Sequence, residues 1–319
     1  MKVLVTGANG FLGSSLVRHL ISAGYSSRVL LRKESNQSSL EGLKVERIEG
    51  DIIYPGDADR AVAGCSVVFH LASLYKFYPW WQRKPEEIYK VNVEGTKNIL
   101  ESAFRHKVKR FIFTSSVASI LPDSSPKVSH YARSKMMAED EVMKFHKKGL
   151  PVIILNPAAL IGERDYKPTP TGQMIVNFLN RAYPGYFNGL ISLADVGDVS
   201  RAHLAALKKG RFGERYVLCN NRAYSLKELF DLVEQISGIK GPGRRISYPL
   251  MISFLYFNEI AAYFLKCRPL LSVQAARFFR RSITFDSSKA AKELGYAATP
   301  IVTSLEKAVN WYKENGYVH

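Results

Sequence analysis

The sequence is poor in cysteine: Cys65, Cys219 and Cys267 are odd in number and far apart in 319 residues. With no Cys-x-x-Cys pair and no cysteine–histidine pairing, neither a disulfide framework nor a zinc site is expected, and a reducing compartment fits. Acidic residues are scarce beside basic ones, 28 Asp+Glu against 45 Lys+Arg, for a formal charge of +17. That balance favours anionic partners such as a phosphorylated cofactor, an acyl thioester or a membrane surface. Nucleic acid is not expected, because no zinc finger, aromatic RNA-binding motif or helix-turn-helix pattern accompanies the charge. Repeats and disorder-like segments are also absent.

Long apolar runs are missing as well. The most apolar stretch, Tyr248–Leu265, is interrupted by Ser253, Asn258 and Glu259 and shortened by Pro249. A membrane span needs about 20 nearly uninterrupted apolar residues. Two readings stay open: a helix packed within a second lobe, or a helix lying on a membrane. The first is the commoner fate of such a helix; nearby Arg244, Arg245, Lys266, Arg268, Arg277, Arg280 and Arg281 lend support to the second. The chain enters a strand at Lys2, leaving no room for a charged leader and cleavage site, so a cytoplasmic location is expected, membrane-associated on the second reading.

What the sequence does contain is 46% hydrophobic residues, enough for a full core. Short apolar runs, Val29–Leu31, Val45–Ile48, Val67–Phe69, Phe111–Phe113 and Val152–Leu155, alternate with amphipathic stretches of helical length. This is the pattern of βαβ units around a parallel sheet covered on both faces, an α/β doubly wound Rossmann sheet. From Gly162 to Gly172 the chain becomes turn-rich, and a smaller, mostly helical lobe is expected beyond it. Val217–Leu218 reads as a strand returning to the main sheet. The expected division is 1–160 with 195–220 for the first domain, and 161–194 with 221–319 for the second lobe. Ser225-Leu-Lys-Glu228 predicts a capping box, with Gly238 closing that helix. Two short helices are expected over Phe285–Gly295 and Ser304–Tyr312.

The strand Lys2–Thr6 runs into Gly7, Gly10 and Gly13, spaced Gly-x-x-Gly-x-x-Gly, and then into a helix. The first glycine suits a sharp turn, the second lets backbone approach phosphate, and the third lets helix and strand pack closely. This turn predicts dinucleotide binding, with the pyrophosphate on the N–H groups of the following helix. About 120 positions later, Tyr131 and Lys135 stand one helical turn apart on a shared face. A phenol of pKa near ~10 is a poor proton shuttle, and a neighbouring ammonium is expected to bring it down. Phe111–Ser116 is an apolar strand ending in hydroxyls, which places Ser116 opposite Tyr131 beyond the strand ends. Arg32-Lys33 ends the second strand where an acid would accept a ribose 2′-OH. A guanidinium there binds a 2′-phosphate, so NADP(H) is expected over NAD(H), with Arg32 the main contact.

These motifs resemble the extended short-chain dehydrogenase/reductase family, of the NAD-dependent epimerase/dehydratase type, nearly end to end. The resemblance implies that Ser116, Tyr131 and Lys135 are catalytic and that Gly7, Gly10, Phe11, Leu12 and Gly13 cradle the cofactor. It further implies an adenine contact at Asp51 and Ile52 within Gly50–Ile52. A cofactor wall follows at Leu71, Ala72 and Ser73 after His70, and a nicotinamide-side loop at Asn156, Pro157 and Ala158. Phe285–Tyr296 resembles the family's C-terminal signature, and a homodimer through sheet-flanking helices is implied too. Pro85–Thr96 and Lys167–Gly172 are most similar to the dihydroflavonol 4-reductase-like and hopanoid-associated sugar epimerase branch.

Two departures bear on substrate. Ser116 and Tyr131 are only 15 positions apart, shorter than in many members, so the rim Leu121–Pro126 is expected to be open. Asn188 and Gly189 stand where nucleotide-sugar epimerases place a diphosphate-clamping arginine, before Leu190–Leu193. Leu74–Trp81 carries five aromatics, suggesting either a greasy substrate wall or packing against the second lobe. The expected activity is carbonyl reduction, or the reverse alcohol oxidation, on an apolar or aromatic small molecule. Alternatives are a sugar or nucleotide-sugar epimerase/dehydratase holding NAD(P) tightly, and a non-catalytic NADP-sensing protein.

Overall fold

Continuous runs of valine, isoleucine, leucine and phenylalanine form strands buried on both faces, and such strands pair in parallel beneath helices. In the computed structural model, which describes residues 1–75, 85–120, 129–265 and 284–319 together with Val273 and Ala276, they build a seven-stranded sheet. Its strands are β1 (Lys2–Thr6), β2 (Ser26–Leu31), β3 (Glu46–Glu49), β4 (Val67–His70), β5 (Arg110–Thr114), β6 (Val152–Pro157) and β9 (Arg215–Leu218). The order is β3-β2-β1-β4-β5-β6-β9, with every pairing parallel. Strand order reverses between β1 and β4, so a crevice opens there beyond the carboxyl ends. The chain is an α/β Rossmann fold, as expected. β3 lies one residue later than its apolar pattern suggests. It is an edge strand whose register follows pairing with β2, Leu30 opposite Ile48, more than burial.

Helices α1 (Phe11–Ser22) and α7 (Val196–Lys209) pack together on one face of the sheet. On the other face lie α2 (Pro55–Val62), α4 (Gly95–Arg105) and α5 (His130–Lys147). α3 (Pro85–Tyr89) runs through a π turn, Lys90–Glu94, directly into α4. The strand expected at Val217–Leu218 is β9, paired with β6 at the sheet edge.

The second lobe has its own apolar core, formed by α6 (Pro170–Leu179), α8 (Leu226–Ser237), α9 (Tyr248–Phe264) and the C-terminal helix Ile301–Glu314. It also holds a feature that no periodicity revealed. β7 (Ala159–Ile161), β8 (Leu190–Asp195) and β10 (Ala223–Ser225) form a three-stranded sheet in the order β10-β8-β7. Three-residue strands are too short to show alternation. Two carboxylates join the lobe to the sheet. Asp195 caps α7 through the N–H groups of Gly197 and Asp198 while its other oxygen accepts the Ser304 hydroxyl at 2.8 Å. Asp198 accepts the backbone N–H of Thr299 at 2.6 Å and pairs with Arg201.

The residues Lys76–Trp81, the rim Leu121–Pro126, and Lys266, Cys267, Arg268, Arg277, Arg280 and Arg281 lie outside the described residues.

α8 opens on the expected capping box. The Ser225 hydroxyl accepts from Glu228 N–H, and the Glu228 carboxylate accepts from Ser225 N–H at 2.7 Å. Gly238 closes the helix at φ +71°. Ser225→Ala is expected to lower stability by about 1 kcal/mol, read as a shifted urea midpoint at unchanged slope.

Candidate active site

Three backbone segments meet at the mouth of the crevice. Gly7 turns at φ +70°, and a Cβ placed on it would come within 2.7 Å of the Ala72 nitrogen, so the turn after β1 lies directly against the loop after β4. A Cβ on Gly13 would fall 2.1 Å from the Gly7 carbonyl, which is why α1 can start so close to its strand. Gly10 differs. Among the described residues only the Gly7 carbonyl stands near an added Cβ there, at 3.2 Å, and as N-cap of α1 it supplies no side-chain hydrogen bond to the helix. The N–H groups opening α1 therefore face a cradle whose free space a side chain would fill, and an anionic pyrophosphate fits it.

A chain of hydrogen bonds fixes that geometry. Ala72 N–H donates to Thr6 Oγ1 at 3.2 Å, and Thr6 Oγ1 contacts His70 Nδ1 at 2.7 Å. His70 Nε2 lies 3.0 Å from Thr96 Oγ1, which donates to the Asn92 carbonyl at 2.7 Å. Because both hydroxyls have defined partners, the network assigns the proton to Nε2, and Thr6 donates to Nδ1. Complete burial, reinforced by Lys135, holds His70 neutral and lowers its pKa to about 3. Asn92, in the π turn, then clasps the loop after β4. Its Oδ1 accepts from Leu74 N–H at 2.7 Å and Ser73 Oγ at 3.2 Å, while Nδ2 donates to the Leu74 carbonyl and Ser134 Oγ.

Tyr131, Ser116 and Ser73 converge. Burial pushes the Tyr131 phenol up to about 12, and the Ser116 and Ser73 hydroxyls, close enough to stabilise a phenolate, draw it partway back. The ring of Tyr75 packs edge-on to that of Tyr131, centroids 4.5 Å apart. Lys135 is buried. Its ammonium donates to the Thr114 carbonyl at 2.8 Å and lies 4.8 Å over the Phe113 ring. Among the described residues it makes no other hydrogen bond, so further donors remain available to a ribose. Burial lowers its pKa to about 8 despite Glu139. The expectation that Lys135 brings the tyrosine down is corrected here. The ammonium is drawn toward β5, and what draws the phenol down is the Ser116 and Ser73 hydroxyls, which burial outweighs.

Beneath Ser116 lies a polar cluster that the sequence did not suggest. Asn156 Nδ2 reaches the Ser116 carbonyl at 3.0 Å and Glu139 Oε1 at 2.7 Å, and Ser119 Oγ donates to the same carboxylate at 2.6 Å. Arg215, arriving on β9, pairs with Glu139, which is 3% exposed. His203 Nδ1–H donates to the Val199 carbonyl, and Nε2 accepts from Thr114 at 2.8 Å; burial lowers its pKa to about 4. These groups brace the β5 end from below. They come from five segments spread along the chain, so no spacing announces them.

The other anticipated residues differ in exposure and partners. Arg32 and Lys33 are exposed at the end of β2 and form no ion pair among the described residues. Asn9 Nδ2 ties the glycine turn to the same loop through the Asn36 carbonyl at 3.0 Å. Asp51 holds the Ile53 N–H, and Ile52 is buried with its carbonyl accepting from Asn98. Phe11 and Leu71 are half-buried, Leu12 and Ala158 are buried, and Ala158 follows Pro157 at the end of β6.

Residues 3–219 match the profile of the NAD dependent epimerase/dehydratase family. The chain belongs to that family. It is therefore an extended short-chain dehydrogenase/reductase and an NAD(P)-dependent enzyme, and its relatives are named both as reductases and as epimerases. A Synechocystis sp. protein named provisionally as a dihydroflavonol 4-reductase is 34% identical, over 98% of this chain and 95% of its own. The sterol demethylase protein B of Methylococcus capsulatus is 29% identical over the whole of both chains. The crystal structure of gox2253 superimposes with a TM-score of 0.85, at 34% identity and 99% coverage of each chain.

His70 and His203 give the family member a pH signature. Both are neutral when folded and protonate near about 6.5 when unfolded, so between these values the unfolded chain binds more protons. Their stabilising contribution is complete above pH ~6.5 and is lost as pH falls toward about 4 and then about 3. Urea midpoints measured across that window are expected to drop steadily. A flat profile would show that the two imidazoles are not held neutral.

Proposed function

We propose that this enzyme is an NADP(H)-dependent oxidoreductase that reduces a carbonyl of an apolar or aromatic small molecule, or oxidises the corresponding alcohol. The observation that carries this reading is the convergence of Ser116 and Ser73 on a Tyr131 phenol held protonated by burial. Such a phenol carries its proton at neutral pH, and that proton can pass to a carbonyl oxygen as the oxygen gains charge.

The glycine turn, Gly7 to Gly13, would hold the pyrophosphate with the first N–H groups of α1. Arg32 and Lys33 would hold an adenosine 2′-phosphate, with Asp51 and Ile52 beside the adenine. Leu71, Ala72 and Ser73 on one side, and Pro157 and Ala158 on the other, would wall the reactive end, and Lys135 would hold a ribose through its remaining donors. The bound dinucleotide supplies the hydride. Ser116 donates a hydrogen bond to the substrate oxygen, and Tyr131 O–H transfers its proton there, giving the alcohol. Ser73 stands beside the phenol, kept in place by the hydrogen bond its hydroxyl donates to Asn92 Oδ1.

The name of the Methylococcus relative supports an apolar substrate, and that of the Synechocystis relative supports reduction. The epimerase reading rests on the family's own description. Consumption of NADPH with a ketone partner separates the two, because an epimerase shows no net turnover of free cofactor. A non-catalytic NADP-sensing protein would show neither.

Tyr131→Phe is expected to lower kcat by about 10²–10⁴-fold while leaving the cofactor dissociation constant unchanged, since only proton transfer is removed. Retained turnover would take Tyr131 out of the mechanism. NADPH is expected to bind more tightly than NADH, and Arg32→Glu should reverse that order, both read by fluorescence titration. Tighter NADH binding by the unaltered enzyme would overturn the cofactor assignment.

A further inference from the structure

The helix α9 has two unlike faces. Met251, Leu255, Glu259 and Ala262 turn inward, and Glu259 Oε1 accepts the backbone N–H of Val273 at 2.8 Å. Outward, Leu250, Phe254, Phe257, Ile260, Phe264 and Leu265 form a stripe at helical spacing. Phe257, Phe264 and Leu265 leave 69%, 76% and 74% of their surfaces open. A helix apolar on all sides is normally buried, and a contiguous exposed patch of this kind marks a binding surface. The one charged residue of Tyr248–Phe264, Glu259, is 1% exposed, so the outer face carries no charge.

Positive charge brackets the stripe. Lys240, Arg244 and Arg245 are exposed just before α9, and Lys266 and Arg268 follow it in sequence. Among the described residues no helix is long and apolar enough to cross a membrane. At 17 residues α9 is roughly 25 Å long, short of the ~30 Å hydrocarbon core.

We propose that α9 docks in the plane of a membrane bearing anionic headgroups, its outer face among the acyl chains and the flanking lysines and arginines on the headgroups. An apolar face with basic ends and no exposed acid is what an interfacial helix needs. A second copy is a poorer occupant. A two-fold axis over this face would bring basic ends together whichever way the two helices ran.

The test is co-sedimentation of the full chain with phosphatidylcholine vesicles, with and without phosphatidylserine. Binding is expected to phosphatidylserine vesicles at low salt. It should weaken as the Debye length falls from about 10 Å at 0.1 M to ~3 Å at 1 M salt. The double variant Phe257→Ser, Phe264→Ser should lose at least about 10-fold in vesicle affinity, since each buried CH₂ contributes ~0.8 kcal/mol. Unchanged NADPH binding by that variant shows that it is folded. Arg244→Glu with Arg245→Glu should erase the preference for phosphatidylserine. The proposal is overturned if the unaltered chain stays in the supernatant, or if the double variant sediments like it. It is overturned equally if the lipid-free chain is a dimer that the phenylalanine changes dissociate.

Discussion

The arrangement depends on a neutral imidazole sealed between two threonines. His70 joins the end of β1 to the start of α4, and through Asn92 that link passes on to the loop after β4 and to α5. A protonated ring would need a second acceptor where Thr6 supplies a donor, so charging His70 would break the chain at its middle. The glycine turn, the cofactor wall and the tyrosine helix therefore share one determinant of position. Hydrogen bonds in such a buried chain reinforce one another, and any unmet partner would be costly.

Electrostatically the centre is unusual for so basic a protein. The charges that reach its interior are few: Lys135 against β5, and Glu139 beneath Ser116, paired with the exposed Arg215. Lys135 stays buried because a carbonyl and an aromatic face take the place of water, and desolvation still weakens its hold on its proton. Tyr131 meets the same penalty in the opposite sense. Burial thus drives the two values apart, the phenol up to about 12 and the ammonium down to about 8.

What the sequence disclosed was whatever depends on local spacing. The glycine turn, the Tyr131–Lys135 pair, the strand-end Ser116, the α8 capping box and the parallel strands all follow from residues within a few positions of one another. Ser73, Asn92, Asn156, Glu139 and Arg215 escaped, or were given other roles, because their function exists only once distant segments meet. Asn92 was in plain view within Pro85–Thr96, but a π turn has no composition that separates it from ordinary helix. The three-residue strands β7 and β10 escaped for lack of length. The direction of the tyrosine's shift escaped because proximity in a helix says nothing of what else is desolvated.

The two aspartates at the start of α7 link the order of synthesis to the order of assembly. Asp195 and Asp198 receive Ser304 and Thr299, partners roughly a hundred residues further along the chain. Those carboxylates are buried and remain incompletely satisfied until the last helix arrives. The polar surface at the start of α7 is thus completed by the final residues, and shortening the carboxyl end would leave buried acceptors in the distant half unmet.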